Sequence, residues 1–363
     1  MSVTIVVGTR PETIKMAPII RELEEQKTDF HFIHTGQHYD YNMSLQFIKE
    51  LNLPSPDHSF VLNNNKPALQ IGEMMTKLDD VLHKFKTKLI LIQGDTNTML
   101  SAALTGIKLG IKVGHVEAGL RSYDWRMPEE HNRRMVDHIS DILFAPTERA
   151  KNNLVEERVH GKVHVTGNTI IDAVIQNMSI AEKCSKIIQS IIFKKFSLAT
   201  IHRAENVDDS KTLNGFVDAF IESPIPIVFP AHPRTIKRLK QQKLLEKLEK
   251  SENVQLISPL GYFDFLVLMK NCEIILTDSG GIQEEATAPC IRKPVLVLRL
   301  STERPEAVEA GFVKVVSVNK NNILKSINDS LDKSPKLPLT SPFGDGKASE
   351  KIVKIIEYIN SCK

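Results

Sequence analysis

Two acidic residues follow two apolar stretches that are neighbours along the chain. Asp95 comes just after Leu89–Gln93, and Glu117 ends Lys112–Glu117. If both stretches are strands of one parallel sheet, their carboxyl ends lie at the edge where open α/β sheets bind ligands. An Asp in this position also serves as a helix cap. Two carboxylates at one edge nevertheless predict proton transfer by a pair of acids.

A glycine break in the second half of the chain predicts a different kind of site. Ser279–Gly281 follows the apolar stretch Ile274–Thr277 and precedes Glu284 and Glu285. Glycines at the start of a helix let a phosphate reach the backbone amides, and the helix N-terminus favours an anion. A carboxylate one turn later can accept hydrogen bonds from the vicinal hydroxyls of a ribose. The stretch therefore predicts binding of a nucleotide diphosphate.

Basic side chains follow several other predicted strands, and each of them alone has an ordinary surface or structural alternative. They are Arg10, Lys15, His202, His232 and Arg304. A related feature is the charged stretch that contains Glu129 and Arg133. Residues four apart share one face of a helix, so these two are expected to pair, at a site or as a surface salt bridge.

The sequence argues against several familiar sites. No GxGxxG follows the first strand and no GxxxxGK[ST] occurs, so neither a dinucleotide cofactor nor a P-loop is indicated. There is no HExxH and no cluster of His and Cys, and we expect no metal and no cofactor. The four cysteines are far apart, which predicts free thiols in a reducing compartment. They are Cys184, Cys272, Cys290 and Cys362.

The composition is typical of an ordinary soluble globular protein. The 363 residues are 41% hydrophobic and 25% charged, with a net charge of +3 and no block of basic and aromatic residues. The N-terminus lacks a signal-peptide pattern, and no apolar run reaches the roughly 20 residues that span a bilayer. We expect a cytoplasmic protein with no nucleic acid and no membrane partner.

Short apolar stretches alternate with helical patterns along the whole chain. The predicted strands of the first half are Val3–Val7, Phe30–His34, Leu89–Gln93, Lys112–Glu117, Ile142–Ala145 and Lys162–Thr166. Those of the second half are Phe196–Thr200, Ile225–Pro230, Val254–Ile257, Ile274–Thr277, Val295–Leu298 and Lys314–Ser317. Predicted helices between the early strands are Glu12–Gln26, Pro67–Phe85 and Thr98–Leu109.

This alternation predicts an α/β protein of two Rossmann-like, doubly wound domains. A helical region without strand signals, from about Asn177 to Lys195, separates them. We place the domains at residues 1–178 and 179–345. A last helix, within residues 347–361, is expected to pack back on the first domain.

Seven sequence motifs make the chain similar to one known protein family. GTRPE, QGDTNT, GHVEAGLRS, PEEHNRR, HRAEN, TDSGGIQEE and TERPEAV lie between Gly8 and about Gly311. In this order they resemble the non-hydrolysing UDP-N-acetylglucosamine 2-epimerases. The resemblance implies a glycosyltransferase-B-like fold with the active site in the interdomain cleft, a homodimer and no cofactor. It also implies a role in supplying activated sugar for cell-surface polysaccharide or glycan synthesis.

The chemistry implied by the resemblance explains the mixture of acids and cations. The C2 proton of the sugar is not beside a carbonyl, so the family eliminates UDP across C1–C2 to give a 2-acetamidoglucal. UDP then adds back with the opposite configuration at C2. This reaction needs a base for the C2 proton and stabilisation of the departing diphosphate.

The resemblance also assigns roles to residues of this chain. The implied acid/base residues are Asp95, Glu117 and Glu129. Arg133 and His202 resemble charge-stabilising partners. The residues implied to bind the UDP-sugar are Arg10, Lys15, Arg304, Ser279, Gly280, Gly281, Glu285 for the ribose and Phe265 for the uracil. Core packing is the alternative for Phe265.

The chain departs from the family pattern near a site where a second substrate molecule activates several bacterial members. Gln37-His38 is followed by Tyr39-Asp40-Tyr41 instead of a basic residue, and HRAEN stands where HRREN is common. Candidates for an equivalent regulatory site here are Gln37, Arg203 and His232.

Four alternatives to this function remain open. They are an epimerase for a related UDP-diacetamido sugar, a hydrolysing UDP-N-acetylglucosamine 2-epimerase, a non-catalytic sugar-nucleotide sensor and a glycosyltransferase. The first two share the acids and the phosphate loop. A sensor would not need the acids, and a transferase would convert its donor only when an acceptor is present.

Overall fold

The computed structural model describes residues 2–37, 41–333 and 336–361, and the chain divides into two compact units. The first unit comprises Met1–Ala173 and Phe343–Lys363, and the second comprises Val174–Pro342. The sequence placed the corresponding boundaries at 178/179 and after 345. The structure thus divides the chain within the helix that starts at Thr169, a few residues earlier.

The first unit contains one parallel sheet in the order β3-β2-β1-β4-β5-β6-β7. Its strands are β1 (Val3–Val7), β2 (Phe30–His34), β3 (His58–Ser59), β4 (Leu89–Gln93), β5 (Lys112–Val116), β6 (Ile142–Ala145) and β7 (Lys162–Val165). Helices α1 to α7 follow them along the chain: Arg10–Glu25, Tyr41–Glu50, Pro67–Lys84, Asn97–Lys108, Pro128–Ile139, Glu148–Glu156 and Thr169–Cys184. Every residue of β1 and β4 is buried, because helices cover both faces of the sheet.

The second unit contains a six-stranded parallel sheet in the order β10-β9-β8-β11-β12-β13. Its strands are β8 (Ser197–Thr200), β9 (Ile227–Pro230), β10 (Val254–Ile257), β11 (Ile275–Thr277), β12 (Val295–Val297) and β13 (Val313–Val315). A 3-10 turn at Ile187–Ser190 precedes β8. Its α-helices, α8 to α15, are Ala204–Val207, Ser210–Ile221, Pro233–Gln241, Leu245–Glu249, Tyr262–Asn271, Gly280–Glu285, Pro305–Glu309 and Lys320–Lys333.

The last helix, α16 (Ala348–Ser361), lies in the first unit and packs against α1. Asp172 of α7 holds its start, because the Asp172 carboxylate accepts hydrogen bonds from the amide and the hydroxyl of Ser349, both at 2.8 Å. A carboxylate at a helix N-terminus satisfies amides that have no partner within the helix.

These two parallel sheets with interleaved helices confirm the predicted α/β class. The elements for which no range was predicted include α2 and the two-residue β3. The strand predicted at Lys314–Ser317 is observed at Val313–Val315, and Ser317 has a φ of +70°, which is incompatible with an extended strand. Cys184, Cys272 and Cys290 are free thiols, while Cys362 lies outside the described residues. None of the described helices is long and apolar enough to cross a membrane.

Candidate active site

Glu117 lies directly after β5 in an unusual backbone conformation. Its φ is +70°, a left-handed value that few non-glycine residues adopt and that costs on the order of 1–3 kcal/mol. The same rotation ends β5 at Val116, one residue before the predicted end. The residue is only 8% exposed, and its Oε2 accepts hydrogen bonds from Lys15 Nζ and from Gln93 Nε2 at 2.8 Å. Surrounding side chains thus hold this carboxylate in one place.

Asp95 follows β4, which pairs in parallel with β5. Thr96, not Asp95, caps α4, because the Thr96 hydroxyl accepts from the Met99 amide at 3.4 Å. The Asp95 carboxylate is instead ion-paired with Arg133, and its backbone carbonyl accepts from Asn132 Nδ2 at 2.9 Å. The structure therefore does not support the helix-cap alternative for Asp95.

The two glutamates at the start of α5 have different environments. Arg133 pairs with Glu130 at 3.2 Å rather than with Glu129, so the predicted Glu129–Arg133 pair is wrong. Glu130 is completely buried and also accepts from Arg134 Nε at 3.0 Å, whereas Glu129 is exposed. Although burial opposes it, hydrogen bonds from Ser122 and Arg134 hold the pKa of Glu130 below its usual value.

Glu12 is a buried acid that the sequence analysis did not single out. Its carboxylate accepts from the amides of Gly8 at 2.6 Å and Thr9 at 2.9 Å, and from the hydroxyl of Thr96 next to Asp95. Burial raises its pKa to about 7 despite these hydrogen bonds. The sequence did contain a signal, because Thr9 and Glu12 have the spacing of a capping box, which the structure forms.

In the second unit, Asp278 connects the loops after β8 and β11. It is fully buried and accepts from the amides of His202 at 3.1 Å and Arg203 at 3.0 Å, and from Asn206 Nδ2 at 3.0 Å. His202 Nδ1 lies 3.4 Å from Asp278 Oδ1, with its side chain 40% exposed. The predicted residue His202 is therefore oriented by an acid that the sequence analysis did not assign.

Two of the three predicted regulatory residues, Arg203 and His232, lie at this edge of the second sheet. The His232 ring is 5.9 Å from that of His202, and its Nδ1 accepts from the Arg234 amide at 3.2 Å. Burial, with the nearby His202, lowers the pKa of His232, so the neutral ring is favoured. Gln37 belongs to the first unit, where its Oε1 accepts from the amide of Thr98 at 2.8 Å.

The glycine pair after β11 has space beside it. An added methyl group at Gly281 would meet no described atom within 4 Å, and at Gly280 the first atom met belongs to Arg304 at 3.8 Å. Neither glycine has a positive φ, so the backbone conformation does not require glycine. The pair leaves room for a ligand next to a guanidinium.

The two carboxylates that follow this loop have different environments. Glu284 is fully buried and ion-paired with Arg304, so its charge is balanced within the protein. Glu285, one residue later, is 9% exposed. Gln283 links the loop to the stretch after β12, because it accepts from Thr302 Oγ1 at 2.5 Å and donates to the Ser279 carbonyl at 3.1 Å.

The remaining predicted residues lie at helix starts. Arg10 begins α1 and is exposed, with its guanidinium 4.3 Å from the centre of the Phe47 ring. Phe265 is in the first turn of α12 and is partly exposed. Within the described residues, no group of three or more His, Cys, Asp or Glu is arranged to hold a metal ion.

Comparison with known proteins identifies the family. A family model described as UDP-N-acetylglucosamine 2-epimerase matches residues 21–357. The UDP-N-acetylglucosamine 2-epimerase of Methanocaldococcus jannaschii is 48% identical over 99% of both chains. A UDP-2,3-diacetamido-2,3-dideoxy-D-glucuronate 2-epimerase of Pseudomonas aeruginosa is 36% identical over 98% of this chain and 99% of its own.

A solved structure gives the same result for the fold. The M. jannaschii UDP-GlcNAc 2-epimerase in complex with UDP-GlcNAc and UDP aligns with a TM-score of 0.88 at 47% identity, covering 99% of this chain and 100% of the other. The predicted family and the glycosyltransferase-B-like fold class are confirmed. This chain belongs to the UDP-N-acetylglucosamine 2-epimerase family.

Proposed function

We propose that this chain is a non-hydrolysing epimerase that interconverts UDP-N-acetylglucosamine and UDP-N-acetylmannosamine. The observation that carries the proposal is the pair of carboxylates at neighbouring strand ends, each held by a cation. Glu117 is fixed by Lys15 and Asp95 by Arg133. Each acid therefore has a positively charged partner that fixes the position of its carboxylate.

The first half-reaction is an elimination. A carboxylate of the first unit takes the C2 proton while the C2–H electron pair forms the C1=C2 double bond. The C1–O bond breaks and its electron pair leaves with the diphosphate of UDP. In the reverse addition the diphosphate oxygen re-forms the C1–O bond on its original face, and a proton delivered to the other face of C2 gives the epimer. The acid/base residues of the proposal are Asp95, Glu117 and Glu129.

The proposal gives charge stabilisation and nucleotide binding to other residues. Arg133 and His202 balance the charge that develops on the departing diphosphate. The binding residues are Arg10, Lys15, Arg304, Ser279, Gly280, Gly281, Glu285 for the ribose and Phe265 for the uracil. The space beside Gly281 and the guanidinium next to Gly280 support a phosphate position there.

A second candidate substrate is a UDP-2,3-diacetamido sugar acid, since one relative with that activity is 36% identical. The higher identity of 48% to a UDP-N-acetylglucosamine 2-epimerase favours the N-acetylhexosamine. An added carboxylate at C6 and an amide at C3 would need further polar partners. Assaying both UDP-sugars under the same conditions discriminates these two candidates by the ratio of their kcat/KM values.

The proposal also covers the oligomeric state, the cellular location and the biological role of the protein. We infer a cytoplasmic homodimer that supplies UDP-N-acetylmannosamine for cell-surface polysaccharide or glycan synthesis, with Arg203 and His232 as candidates for a site of activation by substrate. Resemblance to the family supports these points. Light scattering of the purified chain tests the dimer, and a sigmoidal rate curve in UDP-N-acetylglucosamine tests the activation.

Site variants test the chemistry. Asp95→Asn and Glu117→Gln are expected to remove most turnover, while the affinity for UDP stays within about twofold of the unmodified protein, since the charge on each acid is needed in the transition state. Chromatographic separation of the two UDP-sugars measures turnover, and titration calorimetry measures UDP binding. Near-normal turnover in either variant would contradict its acid/base role. Release of free N-acetylmannosamine with UDP would indicate the hydrolysing reaction instead.

A further inference from the structure

A buried carboxylate of α5 contacts the loop that carries Glu117. Asp137 lies on α5 and its side chain is fully buried. Its Oδ2 accepts from the Gly119 amide at 3.2 Å and from Arg121 Nη1 at 2.7 Å. Gly119 is two residues after Glu117 and has a φ of +86°. Asp137 therefore fixes the backbone on the far side of the strained glutamate.

The same carboxylate reaches the loop that carries Asp95 through a histidine. Asp137 Oδ1 accepts from Nδ1 of His115, a fully buried residue of β5, at 2.7 Å. His115 Nε2 in turn donates to the Gly94 carbonyl at 2.9 Å. Both ring nitrogens face oxygen atoms, so the His115 ring is held from both sides. Gly94 immediately precedes Asp95 and also has a φ of +86°.

Glycine gives both loops conformational freedom that needs to be restricted. Gly94 and Gly119 take left-handed values at no steric cost and can equally leave them. A catalytic side chain must be held within about 0.5 Å of its working position. The hydrogen bond donated by His115 of β5 restricts Gly94, and the hydrogen bond accepted by Asp137 of α5 restricts Gly119.

We propose that Asp137 and His115 form a positioning pair that sets the relative placement of Asp95 and Glu117. This inference rests on the proposed function, since it assumes that these two carboxylates carry out the proton transfers. Arg121 completes the arrangement, because it balances Asp137 and forms a two-pronged pair with Glu157 at 2.8 and 2.7 Å. In the two acid-bearing loops the pair contacts the backbone of Gly94 and Gly119, so its effect on catalysis is indirect.

An alternative is that the pair only stabilises the fold. Removing one partner of a buried ion pair does destabilise a protein, but a buried pair is often no more stabilising than apolar residues of the same size. The two alternatives differ in what a variant does to a folded molecule. A stabilising role changes the fraction folded, whereas a positioning role changes kcat of the folded fraction.

The test uses Asp137→Asn in the full chain. The amide has one acceptor oxygen and adds a donor, so it cannot serve His115, Gly119 and Arg121 together. We expect kcat to fall about 10- to 100-fold per folded molecule, the size expected for a small misplacement. The KM for UDP-N-acetylglucosamine and the affinity for UDP should stay within about twofold.

A matched control lies at the other end of the same strand. Asp141 Oδ2 accepts from the Val113 amide of β5 at 2.9 Å, away from both acid-bearing loops. Asp141→Asn should lower the thermal midpoint without changing kcat. His115→Gln provides a second variant, and because the two residues act as one unit, the double variant should lose no more kcat than the worse single variant.

Each outcome of these experiments either supports or overturns the proposal. A fall in kcat for Asp137→Asn and His115→Gln at unchanged UDP affinity, absent in Asp141→Asn, supports the proposal. Unchanged kcat in a folded Asp137→Asn or His115→Gln protein overturns it while leaving the proposed function intact. Loss of folded protein in both variants also overturns it, since the pair would then serve folding. An unmodified protein that epimerises no UDP-sugar would overturn the proposed function and this inference together.

Discussion

Lys15 on α1 donates a hydrogen bond from its ammonium to the carboxylate of Glu117, although 102 residues separate them in the chain. The side chains are only 11% and 6% exposed. A buried ion pair of this kind is strongly coupled, because each charge depends on the other for compensation.

Substitutions at this pair should therefore be non-additive. Lys15→Met removes the ammonium that pairs with the buried Glu117 carboxylate, and we expect it to cost about 3 kcal/mol of stability, seen as a drop of several degrees in Tm. The double variant Lys15→Met with Glu117→Gln removes both charges and should recover more than half of that loss. If the Tm losses of the two single variants add up to the loss of the double variant, the coupling is contradicted.

Substitutions of the two neighbouring glutamates of α5 should differ in effect, one lowering Tm and the other lowering kcat. Glu130 is buried and bonded to Ser122, Arg133 and Arg134, so Glu130→Gln should lower Tm by several degrees, with a cost of about 2–3 kcal/mol. Glu129 is exposed, so Glu129→Gln should leave Tm unchanged and reduce kcat. Thermal melts and turnover assays of both variants check this. Full activity in Glu129→Gln would remove Glu129 from the acid/base assignment.

Glu12 should make stability depend on pH. Burial raises its pKa from 4.5 to about 7, so the folded chain binds a proton there more tightly than the unfolded chain does. Its stabilising contribution is therefore complete below about pH 4.5 and is lost as the pH rises to about 7, a change of roughly 3 kcal/mol. The side chain of the Glu12→Gln variant stays uncharged, so its stability lacks this pH-dependent contribution.

The measurement is urea unfolding of both proteins at pH 5 and pH 8. The stability of Glu12→Gln relative to the unmodified chain should increase between these two values, since only the unmodified chain must ionise a buried acid. An identical pH dependence of the two proteins would show that Glu12 does not titrate in this range.

The phosphate loop can be probed with one methyl group. Gly281→Ala meets no described atom within 4 Å and should leave Tm unchanged, yet the methyl would occupy the proposed phosphate position. We expect UDP binding to weaken about tenfold or more, as for loss of a hydrogen bond to a charged group, and uridine binding to be unaffected. Gly72→Ala in α3 also has free space and should change neither affinity. Unchanged UDP affinity in Gly281→Ala would place the phosphate elsewhere.

Much of the fold could be predicted, because many strands of both units can be recognised from the residues of one short stretch of sequence. Strands such as β1 and β4 are apolar runs with one polar residue each, Thr4 and Gln93, as expected when helices cover both faces. The two-residue β3 has no such run and was not predicted. Strand ends shifted where a residue such as Ser317 leaves the extended conformation.

The site could be predicted only in part, because its supporting contacts are not local. The acids after β4 and β5 were predicted from their positions, but their partners Lys15 and Arg133 come from separate helices. Asp137 lies 22 residues after His115, and no short-range pattern in the sequence connects them. The departure at His38, Tyr39 and Asp40 lies outside the described residues.

The most direct test of the central claim is a proton NMR time course of the purified chain with UDP-N-acetylglucosamine in D2O. The proposed elimination and re-addition predict that deuterium appears at C2 together with UDP-N-acetylmannosamine, without net release of UDP. The C2 proton is lost because a carboxylate that exchanges with solvent carries it between the half-reactions. Epimer formation with the original C2 proton fully retained, or no reaction with either epimer, would contradict the account.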